Sequence, residues 1–218
     1  NLAITEGGSH FDIRVRGGIS ESEIIIRDLR LNMPGVHNVR NALAMIAIGQ
    51  ELEIPEDLIR EALEGFSGVR RRFTLVGNPR GIKVIDDYGH HPVEIAAVLE
   101  TARQISEGKV VAVVQPHRYS RLKSLFQQFC LCFHSADIVI VADVYSAGEE
   151  PIEGIDREAL IRGISASGHS EVYPLHSPDN LPKMVSDLCQ AGDILVCLGA
   201  GTVTRWANDL PNMLHDLE

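Results

Sequence analysis

The chain lacks the marks of several protein classes. It has no block of lysine and arginine: 20 basic residues stand against 30 acidic ones, and the formal net charge is −10. Binding to nucleic acid depends on clustered cations that neutralise phosphates, so no nucleic-acid partner is expected. A small anionic ligand is compatible with this balance, because a few local arginines suffice to hold one. No apolar run approaches the roughly 20 residues that cross a bilayer, and the first residues lack a basic segment followed by an apolar one. Neither membrane insertion nor a secretory leader is therefore expected. The four cysteines, Cys130, Cys132, Cys189 and Cys197, contain no C-x-x-C pair, and three of them lie in apolar runs. They read as buried, reduced thiols of a cytoplasmic protein. Cys130 and Cys132 have no second pair to complete a zinc site, and no metal site is expected. A Walker A loop is also missing: Gly108-Lys109 precedes a strand instead of following one, and Val110 stands where a hydroxyl is needed.

What is present is a chain of 218 residues, 44% hydrophobic and 23% charged. That suffices for one large domain, or a small domain and a piece of another. Residues 1–31 read as strands without helices. Phe11 to Arg16 alternates with period two, Glu23 to Arg27 is β-branched, and Gly17-Gly18 supplies a turn between them. Helical patterns follow over 38–52 and 56–63. These strands cannot enclose a core alone, and the chain opens at Asn1 without a methionine. Residues 1–72 are accordingly read as the β/α tail of a truncated domain.

From Phe73 the pattern alternates between β and α. Strands are predicted at 83–86, 110–114, 138–141, 172–175 and 194–198, with helices at 93–105, 121–134, 157–164, 180–189 and 203–214. Near-continuous apolar strands separated by helices imply an α/β fold: a Rossmann-like, mostly parallel sheet with helices on both faces, over 73–218. Right-handed crossovers then bring every strand's C-terminal end to one edge, where open α/β sheets bind ligands.

Three polar clusters follow predicted strands directly. Asp86-Asp87-Tyr88-Gly89-His90-His91-Pro92 is the first. Its paired carboxylates suit a ribose diol, a metal or a phosphoryl group. Pro92 suits a first helical position, which puts both imidazoles at a helix N-terminus, where the dipole favours a neutral ring. The second is Gln115-Pro116-His117-Arg118-Tyr119-Ser120-Arg121. Arg118 and Arg121, three apart on a helix, would share one face and could clamp a carboxylate or phosphate. The third, Gly199-Ala200-Gly201, opens the last helix. It could offer backbone N–H groups to an anion or be only a tight turn. Two weaker signals stand apart. Asn38 reads as an N-cap, with Asn41 one turn on, and two amides on one face could read a purine edge. Arg70-Arg71-Arg72 lies at the junction of the two regions.

Five motifs occur in one order: H-N-x-x-N-A, G-V-x-R-R-F, D-D-Y-G-H-H-P, Q-P-H-R-Y-S-R and Y-x-A-G-E-x-P-I. Together they resemble the Mur ligases of peptidoglycan synthesis, over essentially the whole chain. The resemblance is to the end of the central ATPase domain (1–72) and the complete C-terminal domain (73–218). Within the family the alanine-adding branch is the nearer. The branch that recycles murein peptide usually carries Phe-Ala where Tyr88-Gly89 stands here, and it is the alternative. The resemblance implies an ATP-dependent amide ligase: ATP phosphorylates the lactyl carboxylate of UDP-N-acetylmuramate, and L-alanine attacks the acyl phosphate. It implies that Asn38 and Asn41 contact adenine, that Arg72 lies near the nucleotide, and that Asp87 binds the ribose. It implies that Tyr88, His90, Arg118 and Arg121 line the amino-acid and acyl end, with Arg121 on the alanine carboxylate and His117 orienting its loop. Arg72, His90 and His117 are the candidates for direct participation. Gly199 and Gly201 are further substrate candidates, although Thr202-Val203 departs from the family pattern there. The phosphate loop, the UDP-binding domain and most ligands of Mg²⁺ are not in this sequence, so the chain by itself is expected to be inactive.

Two other classes compete. A receiver-like module also places an acidic pair after its first strand, and Asp143 could be its phospho-acceptor, but Gly199-Ala200-Gly201-Thr202 offers no lysine after the fifth strand. A non-catalytic nucleotide- or ligand-binding module would share the fold.

Overall fold

The computed structural model describes residues 1–16 and 23–215. The Gly17-Gly18 turn lies outside the described residues. The chain divides into two compact units, Asn1–Val69 and Arg70–Glu218.

In the first unit β1 (Leu2–Thr5), β2 (Gly8–Arg16) and β3 (Glu23–Leu31) form an antiparallel sheet, and α1 (Val36–Glu51) and α2 (Glu56–Gly65) follow. Alternation along β2 puts Phe11 and Ile13 on the side that meets Ile26 and Leu29 of β3. Val39, Ala42 and Ile46 of α1 and Ile59 and Leu63 of α2 close this small core. The other side of α1 is apolar as well: Leu43 is 40%, Met45 39% and Ile48 61% exposed. A helix apolar on two sides is built for burial on both. The helix starts earlier than the sequence suggests. Gly35, at φ 104°, is the N-cap, not Asn38. Only glycine takes that backbone conformation readily, so the chain turns there and Asn38 falls inside the first turn.

The second unit runs β4 (Thr74–Gly77), β5 (Lys83–Asp87), α3 (Pro92–Ile105), β6 (Val110–Val114), α4 (Tyr119–Ser124), α5 (Phe126–Leu131), β7 (Ile138–Val141), α6 (Arg157–Ala166), β8 (Val172–Pro174), α7 (Leu181–Leu188), β9 (Ile194–Leu198) and α8 (Val203–His215). The strands form one sheet in the order β4-β5-β9-β6-β7-β8. All neighbours pair in parallel except β4, an antiparallel edge strand on β5. The sequence reading has no strand at 74–77, because four residues with little alternation carry no clear period. The single helix expected over 121–134 is two short ones, broken at Leu125 (φ −115°, ψ 18°).

Period two sorts each central strand onto two layers. Val110, Ala112 and Val114 pack with α3 through Ile95 and Leu99, with Leu122 and Phe129 of the α4–α5 segment, and with Leu160 of α6. Val111 and Val113 pack with Leu181 and Val185 of α7 and Val203 and Leu210 of α8. Full burial of each such side chain is worth roughly 1.5–3 kcal/mol. The unit boundary falls at residue 70, three residues before the expected 73. The arginine run is tied to the sheet: Tyr88 N–H donates to Arg71 O at 2.7 Å.

At the N-terminal edge of the sheet, fully buried Asp193 accepts from Lys109 N–H at 2.7 Å and from Gln190 N–H at 2.9 Å. It joins the start of β6 to the turn before β9. Removing a buried acceptor strands its donors. Asp193→Ala is expected to lower unfolding free energy by about 2–4 kcal/mol, read by urea denaturation, with the fold retained.

Candidate functional site

The C-terminal edge of the sheet is set by register. Leu198 at the end of β9 pairs with Asp87 of β5 on one side and Val114 of β6 on the other, and Val114 pairs with Val141 of β7. The ladder continues one residue further, with Gly199 N–H donating to Asp87 O and Gln115 N–H to Leu198 O. All three sequence clusters therefore leave neighbouring strands at one edge. α3 departs from β5 on one face and α8 from β9 on the other, which opens the kind of crevice where α/β folds bind ligands.

Asp86 and Asp87 are not a pair. Both belong to β5 and both are buried, on opposite faces. Asp86 Oδ2 accepts from the Thr204 hydroxyl on α8 and lies 4.0 Å from Arg71 Nε. Asp87 accepts from Phe73 N–H at 2.8 Å and Gly89 N–H at 2.6 Å. Burial pushes the Asp87 carboxyl up to about 6, against the two amides and Arg72, which lower it. Its two bonds hold a strained turn. Arg71 (φ 63°) and Phe73 (φ 49°) are both left-handed, a conformation that costs a bulky residue about 1–3 kcal/mol.

Tyr88 follows, 37% exposed, with the Arg71 guanidinium 4.7 Å and that of Arg72 5.8 Å from its ring centre. Arg71 also donates to Gly199 O at 2.6 Å. Of the three arginines, Arg71 is the one built into the site; Arg72 is exposed and acts through its charge on Asp87 and Glu94. The sequence reading singled out Arg72 and gave Arg71 no role. A run of three arginines does not say which one turns inward.

The two histidines differ. His91 is the N-cap of α3, its Nδ1 accepting from Val93 N–H while Glu94 reaches back to the cap. His90 turns away, with Nδ1 2.9 Å from Tyr88 O and 3.6 Å from Glu94 Oε2. A carbonyl only accepts, so His90 Nδ1 carries hydrogen. The His90 ring meets His117 edge to face at 5.8 Å, and His117 stacks on Tyr145 at 5.3 Å. His117 Nδ1 accepts from Arg121 Nη1 at 3.2 Å, and the same nitrogen donates to His117 O. His117 is thereby held as the Nε2–H tautomer. Burial, then the charges of Arg121, His90 and Arg118, keep it below the usual histidine value.

Arg118 and Arg121 do not share a helix face. Arg118 is the N-cap of α4 at φ 71°, and its side chain makes no cap bond. Arg121 folds back on His117. The glycine loop is explained by close approach. A Cβ at Gly199 would stand 2.8 Å from Gln115 O, and one at Gly201 2.5 Å from Gln115 Oε1 and 2.7 Å from Tyr145 Cγ. Gln115 Oε1 accepts Val203 N–H, so α8's first amide is already partnered. Asp143, the receiver-like candidate, is paired with Arg157 at 2.9 Å. Asn38 and Asn41 belong to the first unit. Asn38 is buried and donates to Pro34 O at 2.8 Å, whereas Asn41 is exposed, so the two amides do not present one open face. Among the described residues no group of three His, Cys, Asp or Glu could hold a metal.

Site residues with no role in the sequence reading are Arg71, Gln115, Tyr145, Ser120 and Glu149. The last three sit in or opposite the Y-x-A-G-E-x-P-I segment, whose resemblance to a family motif was the available signal. One electrostatic consequence is direct. Arg121→Ala removes both a positive charge and the donor at His117 Nδ1, so the His117 titration midpoint is expected to rise toward the usual value, read by NMR pH titration. In the same titration the Asp87 carboxyl is expected to have its midpoint near 6. An unmoved His117 would break the proposed coupling.

Comparison with known proteins fits this arrangement. Residues 71–201 match the family described as "Mur ligase, glutamate ligase domain". The chain is 57% identical over 210 residues to the UDP-N-acetylmuramate–L-alanine ligase of Acidiphilium cryptum, covering 96% of this chain and 44% of that protein. It is 54% identical over 217 residues to the same-named ligase of Nitrobacter hamburgensis, covering 100% and 46%. The crystal structure of UDP-N-acetylmuramate–alanine ligase from Thermotoga maritima superposes with a TM-score of 0.77 at 28% identity, over 100% of this chain and 45% of that one. A murein peptide ligase from Psychrobacter arcticus shares the fold at a TM-score of 0.63, with 23% identity, over 96% of this chain and 42% of that one. The chain spans less than half the length of these curated relatives. With its family match over 71–201, a mostly parallel sheet flanked by helices and the arginine–histidine cluster at that sheet's C-terminal edge, the chain belongs to the Mur ligase family.

Proposed function

We propose that this chain is the amino-acid-binding C-terminal portion of an ATP-dependent ligase that joins L-alanine to UDP-N-acetylmuramate in the cytoplasm. The observation that carries the reading is the Arg121–His117–His90 contact: a guanidinium on a neutral imidazole, with a second imidazole 5.8 Å away. An amino acid brings a carboxylate and an ammonium. Arg121 keeps Nε and Nη2 clear of its bonds to His117 and, with Arg118, suits the carboxylate. His90, whose Nδ1 hydrogen is committed to Tyr88 O, presents Nε2 as an acceptor for the amine proton.

The reaction balances in two steps. A lactyl carboxylate oxygen attacks the γ-phosphorus of ATP and ADP leaves. The deprotonated amine of L-alanine then attacks the acyl carbon, and inorganic phosphate departs from the tetrahedral adduct as the amide forms. The site's part is positioning and charge stabilisation. His117 Nε2–H and the arginines are suited to the developing oxyanion and to phosphate. Toward the nucleotide, Arg72 supplies charge. Asp87 has two of its four acceptor positions committed to backbone amides, and a ribose contact would use the others. Of the two adenine candidates in the first unit, Asn41 is the exposed one, whereas buried Asn38 already donates to Pro34 O. Among the described residues no group of three His, Cys, Asp or Glu could hold a metal ion, and the family resemblance places most ligands of Mg²⁺ outside this chain. The identity of 54–57% with ligases named for L-alanine favours that substrate over a murein peptide.

The test joins this chain to the upstream half of the Acidiphilium cryptum ligase and follows phosphate release. Release should require ATP, UDP-N-acetylmuramate and L-alanine, and the chain alone should give no steady turnover. Arg121→Ala should raise the KM for L-alanine about 30-fold or more, the scale of a lost charge-assisted bidentate contact, with the KM for ATP little changed. A KM for L-alanine that ignores Arg121 would refute the carboxylate assignment.

A further inference from the structure

The segment Tyr145-Ser146-Ala147-Gly148-Glu149 follows β7 and carries no role in the reaction as proposed, yet it is wired into the arginine loop at several points. Arg118 N–H donates to Tyr145 O at 2.8 Å, and Tyr145 N–H donates to Pro116 O at 2.8 Å. His117 and Tyr145 form a parallel bridge, and their rings stack. Ala147 (φ 52°) and Gly148 (φ 86°) then turn the chain back, which brings Glu149 over the start of α4. Glu149 Oε2 accepts Ser120 N–H at 2.9 Å and Oε1 accepts the Ser120 hydroxyl at 2.6 Å.

The bond to Ser120 N–H is the one a helix N-cap side chain ordinarily makes to the second helical residue. α4 has only six residues, and Arg118, its N-cap, supplies no such bond. A helix this short is unstable by itself, and Arg118 stands in the left-handed region, which a non-glycine residue holds only when its surroundings enforce it. The two Ser120 bonds and the nearby Arg118 charge keep the Glu149 carboxyl below its usual range, so it is ionised when it makes them.

We propose that Glu149 is a positioning residue that caps α4 from the neighbouring loop and thereby holds Arg118 and Arg121 in place. Its effect passes through Ser120 and the α4 backbone; it does not touch substrate. The functional arm of the test rests on the reading of Arg118 and Arg121 as the carboxylate site, and the structural arm does not.

The structural arm uses the ¹⁵N-labelled chain itself. Glu149→Ala should speed exchange of the Ser120 amide proton about tenfold or more, while the amides of Val113 and Ile140 in the sheet keep their rates. Glu149→Gln, which retains one acceptor oxygen, should restore most of the protection. A Ser120 amide unaffected by Glu149→Ala overturns the proposal. So does a general loss of sheet protection, which would make Glu149 a residue of overall stability. The functional arm uses the joined ligase described above. Glu149→Ala should raise the KM for L-alanine about tenfold at nearly constant kcat, and Glu149→Gln should recover it. A KM that responds to Arg121→Ala but not to Glu149→Ala overturns the positioning role alone. If neither variant moves the KM, the carboxylate site is the reading that fails, and the Ser120 amide still decides whether Glu149 holds the loop.

Discussion

The site depends on one topological fact: the last strand of the chain inserts between the first two parallel ones. β9 pairs with β5 through Asp87–Leu198 and with β6 through Val114–Leu198. Were β9 at an edge, the loops after β5 and β6 would still leave the same side, but Gly199 would not lie between them. Inserted there, it receives the Arg71 guanidinium from one side and Gln115 from the other. Glycine at 199 and 201 is then a requirement of backbone proximity, since any side chain would displace Gln115 or Tyr145. The strands supply the frame, and their near-complete burial makes it rigid enough to hold loops under strain.

That strain is concentrated at the same edge. Among the described residues seven non-glycine positions have positive φ, and Arg71, Phe73, Arg118 and Ala147 are four of them. Each is restrained by a bond within its own loop or from the loop beside it: Phe73 by Asp87, Arg71 by Tyr88, Arg118 by Tyr145, and the Ala147 turn through Glu149 on Ser120. The loops are therefore mutually fixed. Such an arrangement presents guanidinium and imidazole groups with little reorganisation on binding, which is what makes fixed charges effective in catalysis.

Much of the fold was legible in the sequence because buried parallel strands are short apolar runs with clear ends. The strands 110–114, 138–141 and 194–198 coincide with β6, β7 and β9. β4 was not legible, since a four-residue edge strand half exposed has no pattern to read. The break at Leu125 was hidden because 119–131 keeps a helical apolar spacing through it. In the site, cluster position at strand ends was readable, whereas side-chain direction was not. Asp86 and Asp87 are adjacent in sequence and face opposite layers, a consequence of period two that becomes visible only once both are known to lie inside the strand. Arg71 against Arg72 is the same problem in a strained turn, where no simple period applies.

Two of the shifted groups at this edge, Asp87 and His117, oppose one another in their effect on the fold. Asp87 is raised from 3.8 to about 6, so the folded chain binds that proton more tightly than the unfolded one. The stabilisation this represents is complete below pH 3.8 and is lost as pH rises through about 6. At neutral pH Asp87 is ionised, and the fold forgoes about 3 kcal/mol relative to the protonated form, at 1.36 kcal/mol per unit. His117 is shifted down by burial and by its cationic neighbours, so the unfolded chain binds its proton more tightly, and stability from this group grows as pH rises toward the usual histidine value and is complete above it. Near neutrality both groups are in the form the proposed reaction would use: a carboxylate that fixes the Arg71–Phe73 turn and an imidazole free of charge beside Arg121. Burial works against the ionised Asp87 carboxylate, and what keeps it charged near neutrality is the pair of backbone amides of Gly89 and Phe73 together with the Arg72 charge; the same Phe73 bond that favours the charge therefore also fixes the turn.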